Sequence, residues 1–391
     1  MAGDSTLADK APESNKSDVE KVASTASSTE PSPTDVNVPP GIGPSVEKPI
    51  AEKPIVEKKV VASVYEGFVS VGSGINGGPH VREFRAKAQL TEVSSFFAYD
   101  QGFLGGVHTA SWSNKSGVRY LAVAPAAGGG PQVQLFRDGT RVLNFFAYDP
   151  ALRSGVYVAL ADFNNDGVPD IVTGPGAGGG PHVRVFSGKD ASVLADYFEF
   201  DNPNLRTGVR VAAGDFNGDG VPDVAAAPGN GGGPHVVVRS GADFSHVLAS
   251  FFAYETSFQS GVHLGAGRFE ANGKADFLVT GAGNSDDDNV TLSANATGGG
   301  PRVRVFDLRN GTPVSVADFF AYDPAFRGGV RVATTDLDND GNADIVTCAG
   351  IGGAPHLNVF KGASNQVLSS QFAFDPNLRG GCFVGGMAYQ K

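Results

Sequence analysis

Cysteine is nearly absent from the chain: two residues in 391 exclude the disulfide-dense scaffolds of small secreted domains. Cys348 ends one strand-like run and Cys382 lies in the first strand of the following repeat, so the two could be near neighbours, and the simpler expectation is a pair of small buried thiols. Basic charge is also short. Thirty Lys and Arg stand against 41 Asp and Glu, a formal net charge of −11, which makes nucleic acid and anionic lipid poor partners and cations better ones. No hydrophobic run reaches the length of a membrane helix. The opening MAGDSTLADK has neither the basic start nor the apolar stretch of a secretory leader, an expectation in tension with the extracellular reading reached below. Aromatic residues are scarce over the first sixty positions, which are rich in Ser, Thr, Glu, Lys, Ala and Pro and cannot bury a core. Within them VEKPIAEKPIVEKK, 46–59, reads as an extended, proline-spaced charged linker. Residues 1–60 are therefore expected to form a disordered tether and 61–391 a single domain.

Glycine and phenylalanine are plentiful, at 54 and 27 residues, and both belong to a repeat. Its fullest copy is FFAYDPALRSGVYVALADFNNDGVPDIVTGPGAGGGPHVRVF, from Phe145 to Phe186. The Gly-Pro signature returns at Pro79, Pro131, Pro181, Pro234, Pro301 and Pro355, and the aromatic signature at Phe96, Phe145, Tyr197, Phe251, Phe319 and, as Gln, at Gln371. A period near 50 residues with four strand-like runs per copy predicts an all-β propeller, one blade per repeat. Strand A is GVYVALA, B is DIVTG, C is HVRVF and D is ADYFEF or VLNFFAY; each alternates β-branched or aromatic residues between Gly, Pro, Asp and Asn breaks.

The ends of the repeat array are complementary. The first copy, FVSVGSGINGGPHVREF, begins at strand B, and the last, GCFVGGMAYQK, stops after strand A. The C-terminal strand is thus expected to complete a blade with the three N-terminal strands. That gives six blades, five continuous and one split, with the sheet edges of an open ring removed.

Between strands A and B three copies carry an Asp-rich loop with an internal glycine. The first holds Asp162, Asn164, Asp166, Val168 and Asp170; the second Asp215, Asn217, Asp219, Val221 and Asp223; the third Asp336, Asp338, Asp340, Asn342 and Asp344. Side-chain oxygens at positions 1, 3, 5 and 9, with the carbonyl of position 7, can converge on one hard cation, and oxygen-only ligation favours Ca²⁺. Position 12 holds Thr173, Ala226 and Thr347 rather than the acid of an EF-hand, and a strand follows, so the loop belongs to a hairpin. Three calcium sites are expected, the third tightest because it has four carboxylates. The bland alternative is an Asx-turn network without metal. The matching loop of the first full blade, Trp112 to Gly117, has no carboxylate. That of the fourth places Arg268 at position 1, with Glu270, Asn272 and Asp276 at positions 3, 5 and 9, where the guanidinium should replace the metal.

The DFNNDGVPD, DFNGDGVPD and DLDNDGNAD loops, each followed by a Gly-Pro-rich turn, resemble the FG-GAP repeat of integrin α-type propellers and bacterial secreted proteins. The resemblance spans roughly residues 66–391. It implies structural Ca²⁺ in the A–B hairpins and ligand recognition on the opposite face. FFAYDP and GGGPHV depart from the integrin pattern and look like bacterial members.

Other recurrent residues admit plain structural readings. His80, Gln132, His182, His235, Arg302 and His356 share one register, but Gln and Arg break any metal–His ring. The double aromatics are expected to wedge between blades. Arg153, Arg206, Arg327 and Arg379 are expected to brace the preceding DP turn, as Asp149 with Arg153, or else to hold an anionic sugar or peptide carboxylate; Leu104 and Gln259 replace them in two copies. An insertion at 284–297, NSDDDNVTLSANAT, lengthens one repeat to 67 residues and is either a neutral solvated loop or a functional embellishment. The function expected from all this is a non-catalytic, calcium-binding module at the cell surface or outside the cell, binding a protein or glycan on the face opposite the calcium loops. The alternatives are a propeller lectin and a polysaccharide-acting enzyme. A catalytic centre should break the repeat with a unique polar grouping, and His108 and His263 are the nearest oddities.

Overall fold

The computed structural model describes residues 67–388 apart from 115, 203, 271–272 and 285–297. The chain separates into units 1–59 and 60–391. The expected tether, residues 1–60, and nearly all of the insertion lie outside the described residues. Every regular element among the described residues is a β-strand. Period-two alternation and turn residues at every break leave no stretch with a helical face.

Each repeat folds into a four-stranded antiparallel blade. In the second full blade the strands are Val156–Ala161, Asp170–Pro175, His182–Phe186 and Val193–Phe198, hydrogen-bonded in that order from axis to rim. The first, third, fourth and fifth full blades run from Val107 to Phe146, Val209 to Phe252, Val262 to Phe320 and Val330 to Phe372. The sixth is split as the repeat ends predict. Cys382–Ala388 is its inner strand and pairs antiparallel with Gly67–Ser73, Val384 opposite Val71, and His80–Lys87 and Gln89–Phe97 complete it.

Burial falls from axis to rim. Strands A and B of the second full blade are buried throughout, whereas its strand D alternates exposed and half-buried residues. An inner strand is wedged by neighbours on both faces, so small and β-branched residues fill it; the outer strand meets water on alternate positions. The double aromatics therefore part company, against the expectation that both wedge between blades. The first ring packs on strand C of the next blade: Phe145 on Phe186 at 4.9 Å, Phe251 on Phe306 at 4.9 Å, Phe319 on Phe360 at 5.0 Å. The second, one residue on, points to the opposite side of the pleat and is exposed. The tyrosine that follows is a hydrogen-bonding wedge. Tyr148 donates to the carbonyl of His182 at 2.9 Å and meets Thr173 Oγ1 at 3.0 Å, and Tyr322 repeats this with His356 and Thr347. Where Phe200 takes the place of tyrosine, the equivalent threonine position holds Ala226, so no buried hydroxyl is left over.

The two cysteines form a disulfide, Cα–Cα 5.7 Å, correcting the expectation of free thiols. The reason is the repeat itself. The position of Cys348 is Gly174 in the second full blade and Gly281 in the fourth. A Cβ built on Gly174 would lie 2.2 Å from the carbonyl oxygen of Val209, and one on Gly281 would lie 2.4 Å from that of Val330. These are the first residues of the next inner strand, the place Cys382 takes in the split blade. Every junction thus brings these two positions into contact, and at the junction that closes the ring both are cysteine.

Candidate functional site

The Asp-rich loops of the second, third and fifth full blades share one scaffold. The Asp at position 1 folds under its loop and accepts N–H groups from positions 5 and 6. Asp162 takes Asp166 at 3.0 Å and Gly167 at 2.8 Å; Asp215 takes Asp219 at 3.1 Å and Gly220 at 3.0 Å; Asp336 takes Asp340 at 3.2 Å and Gly341 at 3.0 Å. Position 6 is glycine because φ there is positive, 82°, 93° and 86°. Asn164, Asn217 and Asp338 at position 3 each accept the N–H of position 5. The N–H of position 7, from Val168, Val221 or Asn342, goes to the carboxylate at position 5. In the third loop Asp336, Asp338 and Asp340 bring one oxygen each to within 4.8 Å of one another.

Position 9 has a structural duty that spacing does not reveal. Asp170, Asp223 and Asp344 are buried, and each braces its hairpin to the C–D turn of the same blade. One oxygen accepts the N–H of position 2, from Phe163, Phe216 or Leu337, and the other that of Gly188, Gly241 or Gly362, at 2.8–3.2 Å. Burial pushes Asp170 and Asp344 up to about 6 and Asp223 to about 7, against the pull of these N–H groups, and neighbouring carboxylates push the same way. Burial also raises Asp215 and Asp336. Negative charge is thus concentrated where water screens it poorly, and a divalent cation bound by these oxygens would relieve that cost. A carboxylate oxygen has two lone pairs, so the donor set fits a hard, oxygen-seeking cation.

Cations from the C–D turns answer part of this charge. Lys189 Nζ lies 3.1 Å from Asp166. Lys361 meets Asp338 and, at 3.1 Å, Asp340. The two lysines come from opposite sides of the turn glycine, and Ser240 and Ala242 occupy both places in the third full blade. In the fourth full blade the arginine of the loop pairs internally. Arg268 Nε stands 3.4 Å from Asp276 with both side chains buried, and Arg309 from the C–D turn pairs with Glu270 at 2.8 Å. Asn272 lies outside the described residues. In the first full blade Asn114 caps its own turn, accepting the N–H groups of Ser116 and Val118 at 3.0 Å.

The opposite face is built from the B–C turns and the D–A connections. The residue opening strand C bonds across to strand D: His80 to Ser95, His235 to Ser250, His356 to Ser370, Gln132 to Asn144, Arg302 to Asp318. Each of the four strand-C histidines thus has a polar partner on its own blade, His182 having Asp196, and no ring of metal ligands forms from them. Above them stand six phenylalanines, Phe97, Phe146, Phe198, Phe252, Phe320 and Phe372, each 46–56% exposed. The exposed arginines depart from the expected brace. Asp149 Oδ1 accepts the N–H of Ala151, while Arg153 donates to the carbonyls of Pro150 and Leu152, and Arg327 to those of Pro324 and Phe326.

Repeat-breaking polar residues lie inward. His108, Arg210, His263 and Arg331 occupy one register of the inner strands and are buried. His108 stacks on Tyr157 at 4.1 Å, gives its Nδ1–H to the carbonyl of Val156, and is pushed down to about 3 by burial. Beyond this plug a channel cavity of about 70 Å³ runs between the six inner strands.

Residues 162–226 match the FG-GAP-like repeat family. No curated protein matches the chain. Among solved structures, the Cps50 (Swd1) β-propeller domain of Myceliophteria thermophila is 13% identical with a TM-score of 0.42, over 81% of this chain and 90% of that one. The quinohemoprotein alcohol dehydrogenase of Comamonas testosteroni is 12% identical with a TM-score of 0.33, over 75% of this chain and 58% of its own length. The neuraminidase-like protein of A/flat-faced bat/Peru is 9% identical with a TM-score of 0.36, over 80% and 86%. Likenesses this distant carry no argument about function.

Proposed function

We propose that this six-bladed β-propeller, whose residues 162–226 match the FG-GAP-like repeat family, is a non-catalytic, calcium-binding recognition module working outside the cell. The observation that carries this reading is the division of labour between its faces. Buried carboxylates gather in three A–B hairpins on one side, and six exposed phenylalanines with neighbouring arginines stand on the other. The first is suited to holding ions, the second to holding a protein or glycan. The non-catalytic part is supported by where the repeat breaks. The inner-strand polar residues that the sequence singles out as oddities, His108 and His263, are buried with Arg210 and Arg331 in one register, and Glu199 is buried against Arg239. The Cys348–Cys382 disulfide supports an oxidising compartment, and calcium outside cells is abundant enough to fill weak sites.

Thermal unfolding with EDTA, followed by add-back of Ca²⁺ or Mg²⁺, tests the calcium assignment. We expect EDTA to lower Tm by at least several degrees, since a ligand bound only to the folded state stabilises it by mass action, and Ca²⁺ but not Mg²⁺ to restore it. An unchanged Tm together with no metal by elemental analysis would remove calcium from the proposal. The repeated aromatic face favours a lectin as the particular kind of recognition module.

A further inference from the structure

We propose that the notches of the Gly-Pro face are repeated subsites for an acidic polysaccharide, each exposed phenylalanine carrying the flat C–H face of a sugar ring and the adjacent arginine taking its carboxylate. The inference deepens the recognition-module reading and rests on it.

The unit is best formed in the fourth full blade. A cavity of about 240 Å³ is walled by Phe320, Arg302, Arg327, Glu255 and Phe258, with Gly300 beside it. Arg302 is held by Glu255 at 2.9 Å and Asp318 at 2.6 Å, which makes it a fixed, neutralised polar wall. Arg327 is different. Its guanidinium is exposed and donates to the carbonyls of Pro324 and Phe326, which orient it without cancelling its charge. Gly300 keeps the floor open. A Cβ there would lie 3.2 Å from the Phe320 ring and 3.7 Å from Arg327 Nη1. The second full blade repeats the convergence, with Gly180 at 3.7 Å from the Phe198 ring and 3.8 Å from Arg206 Nη1.

The ligand class follows from what each notch offers and how it recurs. A half-exposed aromatic ring is a platform for an apolar ring face. The exposed Arg327 guanidinium, which donates to two backbone carbonyls, can also form paired hydrogen bonds with a carboxylate. Aromatic and cation recur together in four blades, while Leu104 and Gln259 remove the cation from the other two. Each notch can take one acidic sugar of a chain, and a polymer long enough to reach more than one notch gains from several weak subsites at once. An acidic peptide would supply the carboxylates without the flat rings.

Isothermal titration of the full chain with a polyglucuronate oligosaccharide, its carboxyl-reduced glucan counterpart and poly-L-glutamate tests this. We expect polyglucuronate to bind and the reduced glucan to bind at least tenfold more weakly. The triple variant Arg153→Gln, Arg327→Gln, Arg379→Gln should lose at least tenfold for polyglucuronate at unchanged Tm, and Phe320→Ala should weaken binding as well. Equal affinity for the acidic and reduced polymers overturns the proposal, and if Phe320→Ala abolishes both, the recognition-module reading stands without it. Poly-L-glutamate binding as tightly, with Phe320→Ala indifferent, overturns it in favour of an acidic peptide. No binding of any of the three overturns it outright. Binding accompanied by release of new reducing ends supports the subsites and overturns the non-catalytic reading instead.

Discussion

Glu199 stands where the other five copies place alanine, and Arg239 stands where they place phenylalanine. The two meet across the junction of the second and third full blades. Arg239 Nε lies 2.9 Å from each carboxylate oxygen, and the Glu199 side chain is fully buried. Burial pushes Glu199 up to about 7, against the pull of Arg239. A buried ion pair is costly to break and often cheap to replace. At pH 8, Arg239→Phe alone should therefore cost about 3–5 kcal/mol, because it strands a buried carboxylate. Adding Glu199→Ala restores the repeat and should return stability to within about 1 kcal/mol of the parent or above it. Acidification protonates the stranded group, so the single variant should recover stability as pH falls from 8 to 5. Urea unfolding of both variants at the two pH values checks this; equal losses in the single and double variants would show that the pair does not act as a unit.

At the scale of the element, each Asp-rich hairpin is judged by the turn that faces it. Counting carboxylates in the sequence makes the third loop the tightest calcium site. The structure supplies a competitor that the count omits: Lys361 already sits on Asp338 and Asp340, and Lys189 on Asp166. The loop Asp215 to Asp223 has no lysine from its C–D turn, and Arg268 of the next blade, which acts on Asp215, is already paired with Asp276. On our reading of these loops as calcium sites, this loop should fill first, with the other two weaker. Lys361→Met should then tighten the third site by roughly fivefold, since it removes a solvent-exposed cation that competes for Asp338 and Asp340. Calorimetric titration of metal-free protein would resolve the two classes, and three equal sites indifferent to the substitution would refute the ordering. The hairpins themselves were legible in the sequence, since glycine at position 6 and the strand that follows are local. The lysines were not, because they reach the loop from a turn some 20 residues away, and from different positions in the two blades.

At the scale of the whole molecule, stability depends on closing the ring. The last inner strand pairs with the first described strand over five residues, Val69 to Ser73. Arg331 donates from the neighbouring blade to the carbonyls of Ala349, Gly380 and Cys382. The disulfide ties that same last strand to strand B of the fifth full blade, across 34 residues of sequence. Replacing both cysteines, Cys348→Ala with Cys382→Val, reproduces the small-residue and valine pair of other junctions, where Ala227 and Val262 hold these places. The variant should stay folded and lose about 2–4 kcal/mol, the usual contribution of a cross-link of this span. Calorimetric unfolding measures the loss; an unchanged midpoint would mean that packing alone closes the ring.

The sequence by itself determined the blade count, the four strands of each blade, the split blade and the three Asp-rich hairpins. All of these are written in period, alternation and turn residues, which act over a few neighbours along the chain. Only the tertiary structure decided which aromatic of each pair is buried, that position 9 braces the C–D turn, that the arginines point outward from their own turns, and that the two cysteines meet. Each of those depends on which side of a pleat faces the next blade, or on two positions some 20 to 50 residues apart being brought together, and neither is encoded in any short stretch of the chain.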